Sequence, residues 1–220
     1  MKKIITLLIA VIFFLTVSSY AQINKGSTLI GGILNLSSNN LKNPDSSLSK
    51  QTYFSILPSA GFAVNTNTIL GFSLFYKTNT GSGSLYPFKT KDNGYGAGIF
   101  LRKYQLLLNR FYLFGEGNLM FDYESYNYTT HNISNAEYDS KAYGFSLNFT
   151  PGVAFSLTHK WQLEAGLQNL LSVNYTNSKE VSKNNSADQD FKENNFSLSS
   201  SFEPTSFNNI FIGLRFLINK

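Results

Sequence analysis

The sequence contains no cysteine, which excludes disulfide bonds, thiolate metal sites, a cysteine nucleophile and a lipid anchor on cysteine. Histidine occurs only twice, at His131 and His159, so there is little material for an imidazole metal centre or a catalytic triad. Charged residues make up only 14% of the chain, against about 25% in ordinary soluble domains. The net charge of +5 is too small to indicate a nucleic-acid partner.

Long apolar runs are confined to the first residues. A basic start precedes the apolar run 4–17, and small residues, Ser19 and Ala21, stand three residues and one residue before the expected cleavage point. This three-part pattern predicts a secretory signal peptide over 1–21, cleaved between Ala21 and Gln22. The run is short for a membrane helix, which needs about 20 apolar residues. We expect residues 22–220 to form one domain without a membrane helix.

Aromatic residues are plentiful instead, with 20 Phe, 13 Tyr and 1 Trp, and they recur in segments where apolar and polar residues alternate. Alternation with a period of two is typical of strands that have two different faces. The segments predict eight strands, at about 27–37, 51–64, 68–78, 95–104, 110–124, 143–157, 161–177 and 208–218.

The connections between these strands alternate in length. Three are short, at 65–67, 105–109 and 158–160. Four are long and rich in Asn, Ser, Thr, Lys and Asp, at 38–50, 79–94, 125–142 and 178–207. Short turns at one end and long polar loops at the other are the layout of outer-membrane barrels, with both termini on the periplasmic side. Pro58 and Pro151 fall inside strands and predict bulges.

A membrane barrel and a soluble barrel differ in which face of the strands is apolar, because a membrane barrel turns its apolar face outward and a soluble barrel turns it inward. In the segment 143–157 one face is bulky and apolar, and the other is small, polar and uncharged. Small polar residues suit the narrow lumen of an eight-stranded barrel, so the apolar face is expected to meet lipid. Lys103 is the exception, on the outward face near a strand end. Five other charges fall on the inward face and predict a lumen charge network, at Arg102, Glu116, Asp122, Glu164 and Arg215.

Two functions are open for these inward charges, because they can line a narrow ion path or pair into a plug. We favour the plug, since buried charges are usually paired. Aromatic residues near the strand ends predict interfacial girdles, although Tyr and Trp also favour strands in general. The residues concerned are Tyr53, Tyr76, Tyr95, Tyr123, Tyr143, Trp161 and Tyr175.

The signal ending SSYA-Q, the repeated alternating strands and the closing strand 209–220 (NIFIGLRFLINK) carry a resemblance to a known family. Over 22–220 the chain resembles Bacteroidota-type outer-membrane β-barrel proteins, akin to the OmpA transmembrane and OmpX-like barrels. The resemblance implies an all-β fold, an eight-stranded antiparallel up-and-down transmembrane β-barrel. It also implies a Gram-negative outer membrane, with lipid, lipopolysaccharide, the barrel-assembly machinery and periplasmic chaperones as partners.

We expect a structural or interaction role through long extracellular loops that meet an unknown ligand, with no catalytic residues, metal or cofactor. A narrow, porin-like pore for small solutes or ions is the alternative. A lipid A-modifying enzyme is less favoured, because no spacing requires His131 to act with Glu137 or Asp139. A soluble carrier of lipocalin type is the remaining hypothesis, and it predicts release in buffer without detergent.

Overall fold

The computed structural model describes residues 23–42, 48–83, 88–108, 110–130, 137–184, 187–200 and 210–218. The predicted cleavage site at Ala21 and Gln22 lies outside these residues. Ten strands occur in the described ranges: β1 Thr28–Lys42, β2 Leu48–Asn65, β3 Thr68–Gly83, β4 Phe88–Leu108, β5 Phe111–Thr130, β6 Glu137–Ser156, β7 Trp161–Leu167, β8 Leu171–Asn184, β9 Ala187–Ser200 and β10 Ile210–Ile218. The described part of the chain contains no helix that is both long and apolar enough to cross a membrane.

Eight of these strands close into an antiparallel barrel. Each strand from β1 to β6 pairs with the next one in sequence, β6 pairs with β7, β7 with β10, and β10 returns to β1. The closing pair aligns Thr28 with Ile218 and Gly32 with Leu214. The prediction of an all-β, eight-stranded antiparallel barrel is confirmed.

The predicted strand 161–177 is interrupted at residues 168–170. We call the end of the barrel with the short turns the lower end. β6 pairs with β7 below the break and with β8 above it. At the break Asn169 has a positive φ of 52°, and its backbone N–H donates to Thr150 Oγ1 at 3.1 Å. β8 continues upward and forms a hairpin with β9, which was not predicted.

The four long loops were predicted wrongly, because most of their residues continue the strands. β4 begins at Phe88 and β5 ends at Thr130, and the two pair along their whole upper halves. Likewise, the range 178–207 contains the end of β8 and all of β9. Hydrophobic alternation does not run through these segments, since most of their residues are polar and the apolar ones are isolated. Paired backbone N–H and C=O groups define them instead.

The predicted bulges at the two prolines are also wrong. Pro58 pairs with Gly32 on one side, while the β2–β3 ladder skips Leu57 and Pro58 and resumes in the same register. Pro151 pairs with Gly115 in an unbroken register, and it stands where β6 changes its partner from β8 to β7. A proline has no N–H to donate, so it fits positions where the ladder is already open.

The buried core fills the lower lumen, at the end with the short turns. Ile23 is fully buried there, and its carbonyl oxygen accepts a bond from the Asn67 N–H at 3.0 Å. The segment 143–157 predicted an inner face of small, polar side chains. In this part of the lumen the inner face carries bulky apolar side chains instead. The core consists of Ile23, Leu29, Ile33, Ala63, Ile69, Phe100, Tyr104, Tyr112, Phe114, Ala154, Phe211 and Leu217.

The outward face carries large apolar side chains on every strand of the closed barrel. Exposed fractions reach 52% for Phe72, 54% for Leu147 and 72% for Ile212. A folded protein in water rarely exposes a continuous apolar surface of this extent. Sequence alternation assigned these side chains to the outer face, and the strand register places them there.

Candidate functional site

A cluster of four charged side chains crosses the lumen within the buried core, with Tyr104 and Phe114 below it and Phe100 and Phe211 above it along their strands. Arg102 on β4 and Glu116 on β5 are directly paired across the two strands. Arg102 Nε donates to Glu116 Oε2 at 2.8 Å, and Nη2 of the same guanidinium lies 2.7 Å from that oxygen. Both residues point inward because strand side chains alternate between the two faces.

Glu164 on β7 joins the two arginines of the cluster. Its Oε1 accepts a bond from Arg102 Nη1 at 2.5 Å and one from the Tyr104 hydroxyl at 3.2 Å. Its Oε2 accepts a bond from Arg215 Nε at 3.1 Å. The side chain of Glu164 has no exposed surface, so these three donors replace water around a fully buried carboxylate.

Arg215 on β10 extends the cluster to the opposite wall, where its Nη1 donates to the Ser59 hydroxyl on β2. Gly31 on β1 makes room for this side chain, because a Cβ atom at Gly31 would collide with Arg215 Cδ. Two arginines and two glutamates therefore form a neutral cluster that runs from β4 and β5 to β7, β10 and β2.

Aromatic rings pack against the cluster from below. The Arg102 guanidinium carbon lies 4.3 Å from the centroid of the Phe114 ring, and Arg102 Nη1 also donates to the Tyr104 hydroxyl at 3.0 Å. Side chains fill the width of an eight-stranded barrel at this level. The paired ion cluster therefore lies between buried aromatic side chains on its lower and upper sides.

The fifth predicted network residue, Asp122, lies on the same inward face but higher in the lumen. Its carboxylate packs against Gly144, where a Cβ atom would lie 2.5 Å from Asp122 Oδ2. Near it, Lys77 Nζ lies 2.5 Å from Glu124 Oε1 and 3.6 Å from Asp92 Oδ2. Sequence reasoning missed Lys77, Asp92 and Glu124 because they lie at or beyond the ends of the predicted strands.

Above the ion cluster the lumen opens into a cavity of about 310 Å³. Leu57, Phe75 and Met120 are among its apolar lining residues, and Asp122 and Glu124 contribute carboxylates. Much of the remaining lining consists of amide and hydroxyl groups. There the Ser172 hydroxyl donates to Asn148 Oδ1 at 2.6 Å. The amide and hydroxyl lining consists of Asn118, Ser146, Asn148, Gln168, Asn169, Asn174 and Thr176.

Four of the predicted interfacial aromatics form one row across adjacent strands. Tyr76 is paired with Tyr95, Tyr95 with Tyr123, and Tyr123 with Tyr143. The rings of Tyr95 and Tyr123, and those of Tyr123 and Tyr143, have centroids 5.0 Å apart. We call these four residues the tyrosine row.

The other three predicted aromatics lie elsewhere. Tyr175 is exposed on the outer face of β8. Trp161, at the lower end of β7, contacts the Phe216 ring at a centroid distance of 4.8 Å. Tyr53 alternates with Phe54, so it shares the inner face with buried Ser55 rather than the outer face of the other six.

No predicted site residue forms a metal or catalytic cluster in the described chain. His159 lies in the turn between β6 and β7, at the lower end, and His131 lies outside the described residues. Within the described ranges, no group of three or more His, Cys, Asp or Glu side chains is arranged to hold a metal ion.

The geometry thus defines a class: a closed antiparallel β-barrel with an apolar outer wall and a lumen filled by a neutral ion cluster. No protein-family model and no curated protein match the chain. Among solved structures it resembles the outer membrane protein OprG from Pseudomonas aeruginosa, at 12% identity and a TM-score of 0.49, over 91% of this chain and 100% of that one.

Two further likenesses are of the same kind. The translocator domain of the autotransporter NalP from Neisseria meningitidis matches at 15% identity and a TM-score of 0.47, over 94% of this chain and 72% of that one. A major outer membrane protein from Thermus thermophilus matches at 11% identity and a TM-score of 0.40, over 88% and 99% of the two chains. Likenesses this remote carry no functional argument, so the function is argued from the geometry alone.

Proposed function

We propose that the chain is an integral outer-membrane barrel whose lumen does not conduct and whose upper strands interact with molecules outside the cell. The observation that carries this proposal is the outward band of large apolar side chains on every strand of the closed barrel. In lipid such a band is favourable. Because the strands form a closed ring, no edge strand leaves its backbone N–H and C=O groups unpaired inside the membrane.

The strand lengths support the upper part of the proposal. β4 has 21 residues and β5 has 20, which correspond to about 70 Å along a strand. The apolar band of an outer-membrane barrel is only about 25 Å tall. The upper halves of these strands, rich in Asn, Ser, Thr and Lys, therefore project beyond the lipid. They replace the predicted long loops as the surface for an external partner.

The ends of the described chain support the orientation. Ile23 and the last residues of β10 both lie at the end with the short turns, where the Leu217 N–H donates to the Lys160 carbonyl oxygen at 2.6 Å. We assign this end to the periplasm and the long strand ends to the exterior. Outer-membrane lipid, lipopolysaccharide, the barrel-assembly machinery and periplasmic chaperones are the partners that follow from this placement.

The ion cluster favours a sealed lumen over the alternative of a narrow pore. Arg102, Glu164 and Arg215 are at most 3% exposed in their side chains and satisfy one another. An ion would have to replace these contacts in order to pass. The same pairing favours a non-catalytic role, because the buried carboxylates and guanidinium groups are bound to one another.

The test is insertion of the refolded mature chain into lipid vesicles, read by the shift in gel mobility between unheated and boiled samples. The Leu147→Arg variant places a charge on the outer wall between the tyrosine row and the short turns, and it should lose insertion at a cost of about 2–4 kcal/mol near mid-membrane. The matched control is Lys103→Arg, which keeps an outward charge near the lower end and should insert normally. Planar-bilayer recordings of the wild type should be silent.

Either of two results would contradict the proposal. A wild-type chain that stays monomeric and folded in buffer without amphiphile would remove the membrane placement. Discrete single-channel conductance from the wild type would leave the membrane placement intact and would refute the sealed lumen.

A further inference from the structure

Three lysines lie side by side on the outer wall, immediately above the tyrosine row. Lys141 on β6 is directly paired with Lys179 on β8, and Lys179 is directly paired with Lys192 on β9. Directly paired residues point to the same face of a sheet. Since Lys141 alternates with outward Tyr143 on β6, all three side chains point outward, and all three are exposed. We call them the lysine row.

The spacing concentrates positive charge. Neighbouring strands are about 4.8 Å apart, so the three lysines start from backbone positions within about 10 Å of one another. Like charges placed directly opposite each other destabilise a sheet unless an anion compensates them. Among the described side chains of this surface, Glu137 and Asp139 supply carboxylates, and Asp139 accepts a bond from Asn127 Nδ2 at 2.5 Å. The three ammonium groups outnumber these two carboxylates.

A groove lies between two of the lysines. It has a volume of about 340 Å³ and is lined by Lys141 and Lys179 with Asp139, Tyr143, Asn177 and Val181. The groove therefore combines two ammonium groups with one carboxylate, an amide and an aromatic ring, so its lining carries a net positive charge. Ammonium groups and an amide N–H are suited to binding phosphate oxygens.

The surface below the groove is apolar and aromatic. Next to Tyr143 along β6 comes outward Phe145, which is paired with Tyr175 on β8, and Tyr175 is paired with Phe196 on β9. These three rings are exposed, with fractions of 49%, 48% and 70%. An acyl chain that descends from the groove would lie on this aromatic surface, whereas a free anion would leave it uncovered.

We propose that the lysine row binds the phosphorylated headgroup of a lipid in the outer leaflet of the membrane, with the acyl chains lying along Phe145, Tyr175 and Phe196. The proposal rests on the membrane placement argued under Proposed function. Interfacial tyrosines mark the level of the headgroups, and the lysines lie one strand repeat above them. Charge complementarity thus identifies the occupant as an anionic lipid.

The test compares two triple variants that remove the same charge. Lys141→Gln/Lys179→Gln/Lys192→Gln removes the lysine row. The matched control, Lys25→Gln/Lys103→Gln/Lys160→Gln, removes three exposed lysines near the lower end of the barrel, away from the groove. Each full mature chain is refolded in detergent micelles and checked by gel mobility. It is then titrated with bisphosphorylated lipid A, and the bound lipid is measured by native mass spectrometry.

The expected result is that the wild type and the control triple retain lipid A equally. Each lysine lost from the row should weaken retention by about fivefold. Lipid A with its phosphates removed should bind the wild type as weakly as intact lipid A binds the lysine-row variant. Inorganic phosphate in millimolar excess should not displace the lipid, because it cannot use the aromatic surface.

Several results would overturn the proposal. Equal losses in the two triple variants would mean that only net charge matters. Equal binding of the dephosphorylated lipid would remove the role of phosphate, and displacement by inorganic phosphate would indicate a simple anion site. These failures are distinguishable from a failure of the membrane placement, in which the wild type would show no heat-dependent mobility shift at all.

Discussion

Replacing Glu164 by Gln isolates the contribution of the ion cluster to stability. The carboxylate accepts bonds from Arg102, Tyr104 and Arg215. The amide that replaces it has one oxygen and turns an N–H₂ donor toward one of the arginines. Arg102, Arg215 and Glu116 would then leave one uncompensated positive charge in the lumen. Removing one partner from a buried ion pair costs about 3–5 kcal/mol, so we expect the free energy of unfolding to fall by that amount.

The assay is reversible urea unfolding of the refolded barrel in lipid vesicles, followed by tryptophan fluorescence. Trp161 is the only tryptophan in the chain and lies exposed on the outer wall, so its emission reports transfer from lipid to water. Glu124→Gln is the control, since it removes another inner-face carboxylate that is ion-paired but 39% exposed in its side chain. We expect that variant to lose less than about 1 kcal/mol.

A loss below about 1 kcal/mol for Glu164→Gln, equal to the control, would refute the reasoning that the cluster is buried and satisfied. If that variant does not refold, Glu164→Gln/Arg215→Gln keeps the falsification possible. The double variant leaves the neutral pair of Arg102 and Glu116, so it should be more stable than the single variant. A double variant that also fails to refold, or that is less stable than a refolded single variant, would contradict the proposed charge balance.

Two further predictions concern packing in the lumen and on the wall. Gly71→Ala should destabilise the barrel by about 1–3 kcal/mol, because its Cβ would collide with both the Ala60 carbonyl oxygen and Phe100 Cζ. Gly117→Ala, with nothing within 4 Å of its Cβ, should be neutral in the same urea titration, and equal effects would contradict the inward placement of Gly71. Ile23→Ala should cost about 2–5 kcal/mol, because Ile23 is fully buried at the lower end; a midpoint unchanged in urea would show that this segment does not belong to the core.

Much of the barrel wall could be predicted from the sequence, for a physical reason. In a strand the period of two fixes the face of every residue once the face of one is known. The inward placement of Arg102, Glu116, Glu164 and Arg215 follows from that rule alone. The contacts among them do not, because Arg215 and Ser59 are separated by 156 residues and meet only when the barrel closes.

The upper strands were not predicted, and the bulk of the inner side chains was underestimated, for different reasons. Segments such as 88–94 and 187–195 are mostly polar, with Phe88 and Phe191 as isolated large apolar residues, so backbone pairing reveals them as strands. Phe100, Tyr112 and Phe114 fill the lower lumen, although they look like lipid-facing residues by type. Their alternation with outward neighbours, rather than their hydrophobicity, assigns them to the interior.

The cluster in the lumen also constrains the order of assembly. Its four charged residues come from β4, β5, β7 and β10, and β10 carries the last of them. Until β10 docks against β1 and β7, Glu164 lacks its bond to Arg215 and the wall remains open along one side. Closure of the barrel and charge neutralisation of its lumen therefore occur in the same step. A chain that stops before β10 would have neither a closed wall nor a lumen in which the two glutamates are matched by two arginines.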